Sequence, residues 1–107
     1  MREALILVNN KPAAIFREEA RGEKYTLVYQ EGYTGHDISL RLPASSHAFE
    51  FNKFPPFFDG LLPEGPQLEG LLKRAKIDRD DYFSQLLAVG EDLVGAVNVV
   101  PLDWKTK

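Results

Sequence analysis

The chain has 107 residues, 44% apolar and 27% charged, with 13 basic and 16 acidic side chains and a formal net charge of −3. This composition is that of one ordinary globular domain with a modest core, and it excludes a disordered polyelectrolyte. The absence of cysteine excludes a disulfide scaffold and a thiolate metal site.

Residues 4–8, ALILV, form a short apolar run suited to a strand buried on both faces. Asn9 and Asn10 tolerate positive φ and predict a tight hairpin turn. Residues 12–18 make the return strand, with Pro12 at its start, where a missing N–H does least harm. A turn through ARGEK leads to a third strand, YTLVY at 25–29, rich in β-branched and aromatic residues. In DISLRLP, Ile38, Leu40 and Leu42 alternate with Ser39 and Arg41; this predicts a fourth strand over 37–43, ended by Pro43.

Helices dominate the second half. Leu68, Leu71, Leu72 and Ala75 recur at i, i+3, i+4 and i+7, and Pro66 suits a first helical turn. Gly70 within that helix costs about 1 kcal/mol relative to Ala and so predicts a close packing contact. A second helix starts near DRDD with Asp78 or Asp80 as its cap, buries Phe83, Leu86 and Leu87, and ends at Gly90. GAVNVVP reads as the last strand, and the tail from about residue 102 is expected to be loosely held. The expected fold is a single α+β domain over residues 1–107: a small antiparallel sheet of about five strands, with two to three helices between strand four and the last strand covering one face. No apolar run approaches the ~20 residues that span a bilayer, and the N-terminus lacks the pattern of a secretory signal. Cytoplasmic localisation and no membrane association are the expectation.

Catalytic patterns are scarce. His36 and His47 sit in polar segments without a spaced set of carboxylates, which speaks against zinc and against a general base. Ser39, Ser45, Ser46 and Ser84 lack the context of a nucleophile elbow. Adjacent Asp80 and Asp81 read as capping and dipole compensation rather than as an acid/base pair. GEDLVG at 90–95 has the glycine spacing of a phosphate-binding loop, but Ala96 and Val97 stand where the Lys and hydroxyl are needed. Kinase landmarks are missing. The basic cluster KRAK at 73–76, with Arg79, is cancelled by Glu69, Asp78, Asp80 and Asp81, which argues against direct nucleic-acid contact. The chain is therefore expected to be no enzyme, with no cofactor and no metal.

The stretch FFDGLLPEG at 57–65 stands apart. Pro55 and Pro56 hold the backbone extended before it, Pro63 stops its turn, and Phe57, Phe58, Leu61 and Leu62 share about one and a half helical turns. Either all four side chains fill the core, or one face meets the core and the other docks on a partner through rigid aromatic anchors. On the docking reading the contact residues are Phe57, Phe58, Asp59, Leu61, Leu62, Pro63, Glu64 and Gly65, with Trp104 as an outlying candidate that equally suits a lid on the domain's own core.

The motifs ISLRLP, FFDGLLPEG and LLAVGEDLVGAV, in this order and at about this spacing, resemble the N-terminal subdomain of HipA-type serine/threonine toxin kinases over most of the chain, from the first strand to Val100. In those kinases a long catalytic core follows. A copy ending soon after Pro101 resembles the HipS-type antitoxins of bacterial three-gene HipBST toxin–antitoxin systems. The resemblance implies non-covalent neutralisation of a HipA-like kinase toxin of the HipT type. It also implies a link to DNA through a helix-turn-helix protein of the HipB type within the complex. The competing expectations are an N-terminal structural fragment of a longer HipA-type kinase, and a small enzyme using His36 or His47.

Overall fold

The computed structural model describes residues 1–102; Trp104 and the rest of the expected loose tail lie outside the described residues. Five strands, β1 (Arg2–Val8), β2 (Lys11–Ala20), β3 (Lys24–Tyr29), β4 (Ala48–Phe51) and β5 (Val97–Pro101), form one antiparallel sheet in the order β4-β3-β2-β1-β5. Helices α1 (Pro56–Asp59), α2 (Gly65–Ala75) and α3 (Tyr82–Val89) all fall between β4 and β5. This is the expected α+β class. No helix among the described residues is long and apolar enough to cross a membrane.

The β1–β2 hairpin turns at Asn9 and Asn10, whose φ values of 52° and 67° give the two left-handed residues that a tight hairpin needs. Beyond it the register slips by one residue, so that Leu7 opposes Pro12 and Ile6 opposes Ala14, leaving Ala13 as a bulge. Strand β1 is buried on both faces, as its unbroken apolar run predicts. Ala4, Ile6 and Val8 face the helices. Leu5 and Leu7 join Val100 in a second small cluster.

The fourth strand is not where the alternation in DISLRLP predicts it. Residues 37–43 form an irregular segment with one isolated bridge, Ser39 to Leu42, and β4 lies further on at Ala48–Phe51. The cause is Tyr29. Its buried hydroxyl accepts the Ile38 N–H at 2.8 Å and donates to the Leu42 carbonyl. Those backbone groups are therefore spent on a side chain and unavailable to a sheet ladder. Ile38 and Leu42 are buried by the resulting loop, while Leu40 is left 98% exposed at its tip.

Phe16 is the hub of the core. Its ring lies 4.4 Å from Phe58, 5.5 Å from Phe83, 5.8 Å from Tyr25 and 5.9 Å from Phe54, centroid to centroid. Such aromatic contacts add roughly 0.5–1.5 kcal/mol each beyond the area they bury. Helix α3 enters this core through Phe83 and Leu86, whereas Leu87 is half-buried. Its cap is Asp81, not Asp78 or Asp80: the Asp81 carboxylate accepts from the Ser84 N–H at 3.2 Å and from the Ser84 hydroxyl at 2.8 Å.

Asp81 also meets Arg2 at 2.9 Å, and Arg2 reaches the buried Glu18 at 2.6 Å, so one guanidinium ties the N-terminus of α3 to strands β1 and β2. Glu18 further accepts from the Tyr25 hydroxyl and the Gly22 N–H, each at 3.2 Å. Burial pushes the Asp81 carboxyl up, but the hydrogen bonds from Arg2 and Ser84 outweigh it and hold the group below its ordinary value. Burial, with the neighbouring Glu18 charge, pushes the Tyr25 phenol up to about 12.

Gly90 ends α3 with φ −59°, so no left-handed cap requires it. A Cβ there would lie 1.8 Å from the Val99 carbonyl oxygen. The need is for close approach of the following turn to β5. Gly70 in α2 has no such neighbour: the nearest atom to a Cβ is the mobile end of Arg74, at 3.2 Å. The packing contact expected there does not exist.

Candidate docking surface

Pro55, extended at φ −62° and ψ 136°, is buried and delivers the chain to α1. The single turn is closed by the Asp59 N–H on the Pro55 carbonyl and the Gly60 N–H on the Pro56 carbonyl, each at 3.0 Å. Leu61 and Leu62 continue it with N–H groups on Phe58 and Asp59 at 3.0 and 3.1 Å. Pro63 cannot extend the turn. Gly65, at φ +57°, takes the left-handed step that starts α2 and lets Pro66 follow.

This backbone sorts the side chains. Phe58 is 0% exposed, stacked on Phe16; it has no surface to offer a partner and anchors the turn from within. Phe57 stands edge-on to Phe58 at 5.3 Å and is half-buried, as are Leu61, Leu62 and Pro63. Asp59, Glu64 and Gly65 are exposed. The predicted contact set is therefore neither all core nor all surface. It is a ridge held on the aromatic hub by one ring.

A groove lies on each side of the ridge. The first, about 400 Å³, is lined by Ser39, Arg41, Leu42, Phe51, Pro55, Pro56 and Phe57 and is mainly apolar. The second, about 290 Å³, is bounded by Asp59, Leu62, Pro63 and Glu64 on the ridge and by Leu68, Arg79, Tyr82 and Gln85 on α2 and α3. Arg79 is paired with Glu69 at 2.6 Å, so the second groove keeps the acidic character of Asp59 and Glu64. The ridge was legible as a contiguous motif, but its flanks come from separate elements before and after it in sequence. One flank could have been flagged: Tyr82 is an aromatic on the outer side of α3, 41% exposed.

Neither histidine belongs to this surface. His36 borders a separate shallow cleft with Lys11, Tyr33 and Thr34, and His47 follows the short turn 44–46 with φ 66°. Among the described residues no three of His, Asp or Glu gather closely enough to hold a metal ion.

The solved N-terminal domain of the HipA toxin superposes with a TM-score of 0.72 at 28% identity, covering 94% of this chain and 92% of that one. An uncharacterized protein of Haemophilus influenzae is 29% identical over 99 residues, 92% of either chain. The kinase candidate Y4dM of Sinorhizobium fredii is 40% identical over 68 residues, which are 60% of this chain but 17% of that protein. The family model for the HipA N-terminal domain matches residues 4–100. The chain belongs to the HipA N-terminal domain family.

Proposed function

We propose that this protein is a HipS-like antitoxin, a cytoplasmic binding module that neutralises a HipA-like serine/threonine kinase of the HipT type without chemistry of its own. It occupies the place that the fused subdomain holds in a HipA-type kinase and keeps the enzyme from a productive arrangement. A HipB-type helix-turn-helix protein links the complex to DNA, with no direct nucleic-acid contact by this chain. The observation that carries the reading is the ridge Phe57–Gly65: it keeps half-buried apolar groups and two exposed carboxylates at the surface of a chain of the HipA N-terminal domain family, the part that precedes the catalytic core in the HipA-type kinases it resembles. Partly exposed rings in a fixed frame lose little side-chain entropy on binding.

The test is co-expression with the adjacent gene products, followed by size-exclusion chromatography and a kinase assay. The expected result is a stable complex with suppressed phosphotransfer. Phe57→Ala with Leu61→Ala weakens capture of the kinase by at least ~10-fold, about 1.4 kcal/mol, while circular dichroism stays native. Should the double variant unfold, Asp59→Arg probes the same ridge from an exposed position. Unchanged kinase binding by the folded double variant or, where that variant unfolds, by a folded Asp59→Arg protein would falsify the ridge as the docking surface.

A second reading, an N-terminal piece of a longer HipA-type kinase, is favoured by the match to only 17% of Y4dM. The coextensive match to the Haemophilus influenzae protein favours the freestanding module. A reading frame running on into a kinase core decides for the fragment, and a stop codon before a separate kinase frame decides for the antitoxin.

A further inference from the structure

The two edges of the sheet are treated differently. At β5, the turn 90–92 lies against the outer strand, with Gly90 pressed on the Val99 carbonyl and the Asn98 amide donating to the Gly90 and Glu91 carbonyls at 3.2 Å. That edge is covered by the packed turn. At β4 it is open. The Tyr29 N–H donates to the His47 carbonyl at 2.8 Å, and Leu27 and Tyr25 stand opposite Phe49 and Phe51. By the alternation of an antiparallel ladder, Phe49 and Phe51 spend their backbone groups on β3, while Ala48 and Glu50 direct theirs outward. Among the described residues no hydrogen bond reaches those outward groups.

We propose that the β4 edge is a binding site for an extended polypeptide segment that pairs with Ala48 and Glu50 as a sixth strand. The first groove supplies its side-chain specificity. Side chains of an added strand alternate between faces, so a residue set opposite Phe51 points to the face of Phe51, where Leu42, Pro55, Pro56 and Phe57 form an apolar groove of about 400 Å³. The residue two further on, opposite Phe49, points to the same face. That is the other position on this face that still lies opposite β4, and Arg41, which lines the same groove, has no ion-pair partner among the described residues. The occupant is therefore an antiparallel strand with an aromatic or large aliphatic residue at i and a carboxylate at i+2. Leu40, 98% exposed between two groove residues, is a ready cover for it. Short length and a charge such as Glu50 are the ordinary protection of an edge. They do not account for an apolar groove and an unpaired cation beside it. The inference goes beyond the kinase reading and commits to one occupant, a partner polypeptide carrying this apolar-x-acidic strand.

The probe is a capped hexapeptide, Lys-Thr-Phe-Thr-Glu-Thr, titrated into isotope-labelled protein while backbone amide resonances are followed. The expected result is saturable shifts at residues 48–51, Arg41 and Phe57. N-methylation of the two threonines that follow Phe and Glu leaves every side chain in place but removes the pairing donors, and should weaken binding at least ~10-fold. Arg41→Glu should weaken it by a similar factor, and Glu50→Pro, which removes an outward N–H, should abolish it. Absence of shifts at residues 48–51 with millimolar peptide overturns the proposal. Equal binding of the N-methylated peptide does so too, because the groove would then take an apolar group without strand pairing. If Glu50→Pro fails to fold, the methylated peptide against the unaltered protein still decides.

Discussion

Helices α2 and α3 have comparable apolar periodicity in sequence but different standing in the molecule. Helix α3 puts Phe83, Gln85 and Leu86 out of solvent, is capped by Asp81, and is fastened through Arg2 to the buried Glu18. The Arg2 guanidinium also lies over the Phe83 ring, 5.1 Å from its centroid. Helix α2 buries Leu71 alone; Leu68 and Leu72 are half-buried, Ala75 is exposed, and the helix rests against α3 rather than on the sheet. The difference shows that a regular apolar stripe establishes a helix, while the elements it meets establish how firmly it is held. It also explains why the second groove opens along α2: the helix stands off the core and leaves space beside the ridge.

Substitutions in the two helices should differ in size and sign. The largest effect is expected at the well-anchored helix: Phe83→Ala removes a wholly buried ring from the hub and should cost about 3–5 kcal/mol in denaturant unfolding. Stability measured on a marginal domain of ~5–15 kcal/mol makes that loss easy to see. Arg2→Ala leaves the Glu18 carboxylate buried without its cation and should cost roughly 2–4 kcal/mol, whereas an exposed ion pair such as Arg79–Glu69 should be worth less than ~1 kcal/mol to a double-mutant cycle.

Alkaline titration probes the same anchor. The Tyr25 phenol is raised to about 12 in the fold. A raised value means that the neutral form is favoured when folded. Its contribution is complete below the ordinary phenol range near ~10 and is lost as pH climbs toward the folded value, up to roughly 3 kcal/mol. Tyr25→Phe should flatten that loss of stability between about pH 10 and 12. The smallest effect, of opposite sign, belongs to α2. Gly70→Ala meets only the flexible end of Arg74 and should raise stability by up to ~1 kcal/mol, read as a higher midpoint in urea.

Much of the sheet was legible because its signals are local. Asn9-Asn10 specified the first hairpin, and the β-branched and aromatic run at 25–29 specified β3. The misplacement of β4 has a non-local cause: nothing within 37–43 reveals that a hydroxyl from Tyr29 will take its N–H and C=O groups. AFEF at 48–51 carries the right alternation, Phe49 and Phe51 inward, but is only four residues long and follows a polar turn. Asp81 rather than Asp78 or Asp80 is the cap, and its partner Arg2 stands 79 positions away, beyond any local signal. The ridge could be read from FFDGLLPEG, since prolines and a glycine dictate it locally. Its two grooves could not, because Arg41, Phe51 and Arg79 meet it only through tertiary packing; Tyr82 alone carried a signal, as an aromatic on the outer side of α3.

The sheet order β4-β3-β2-β1-β5 has a kinetic corollary. During synthesis β1 gains β2 at once across a two-residue turn, yet its other side must wait for Val97–Pro101, which is made long after it. Such distant closure is slow relative to hairpin formation. Until it happens, the unpaired backbone edge of β1, flanked by Leu5, Ile6 and Leu7, stays open to neighbouring nascent chains.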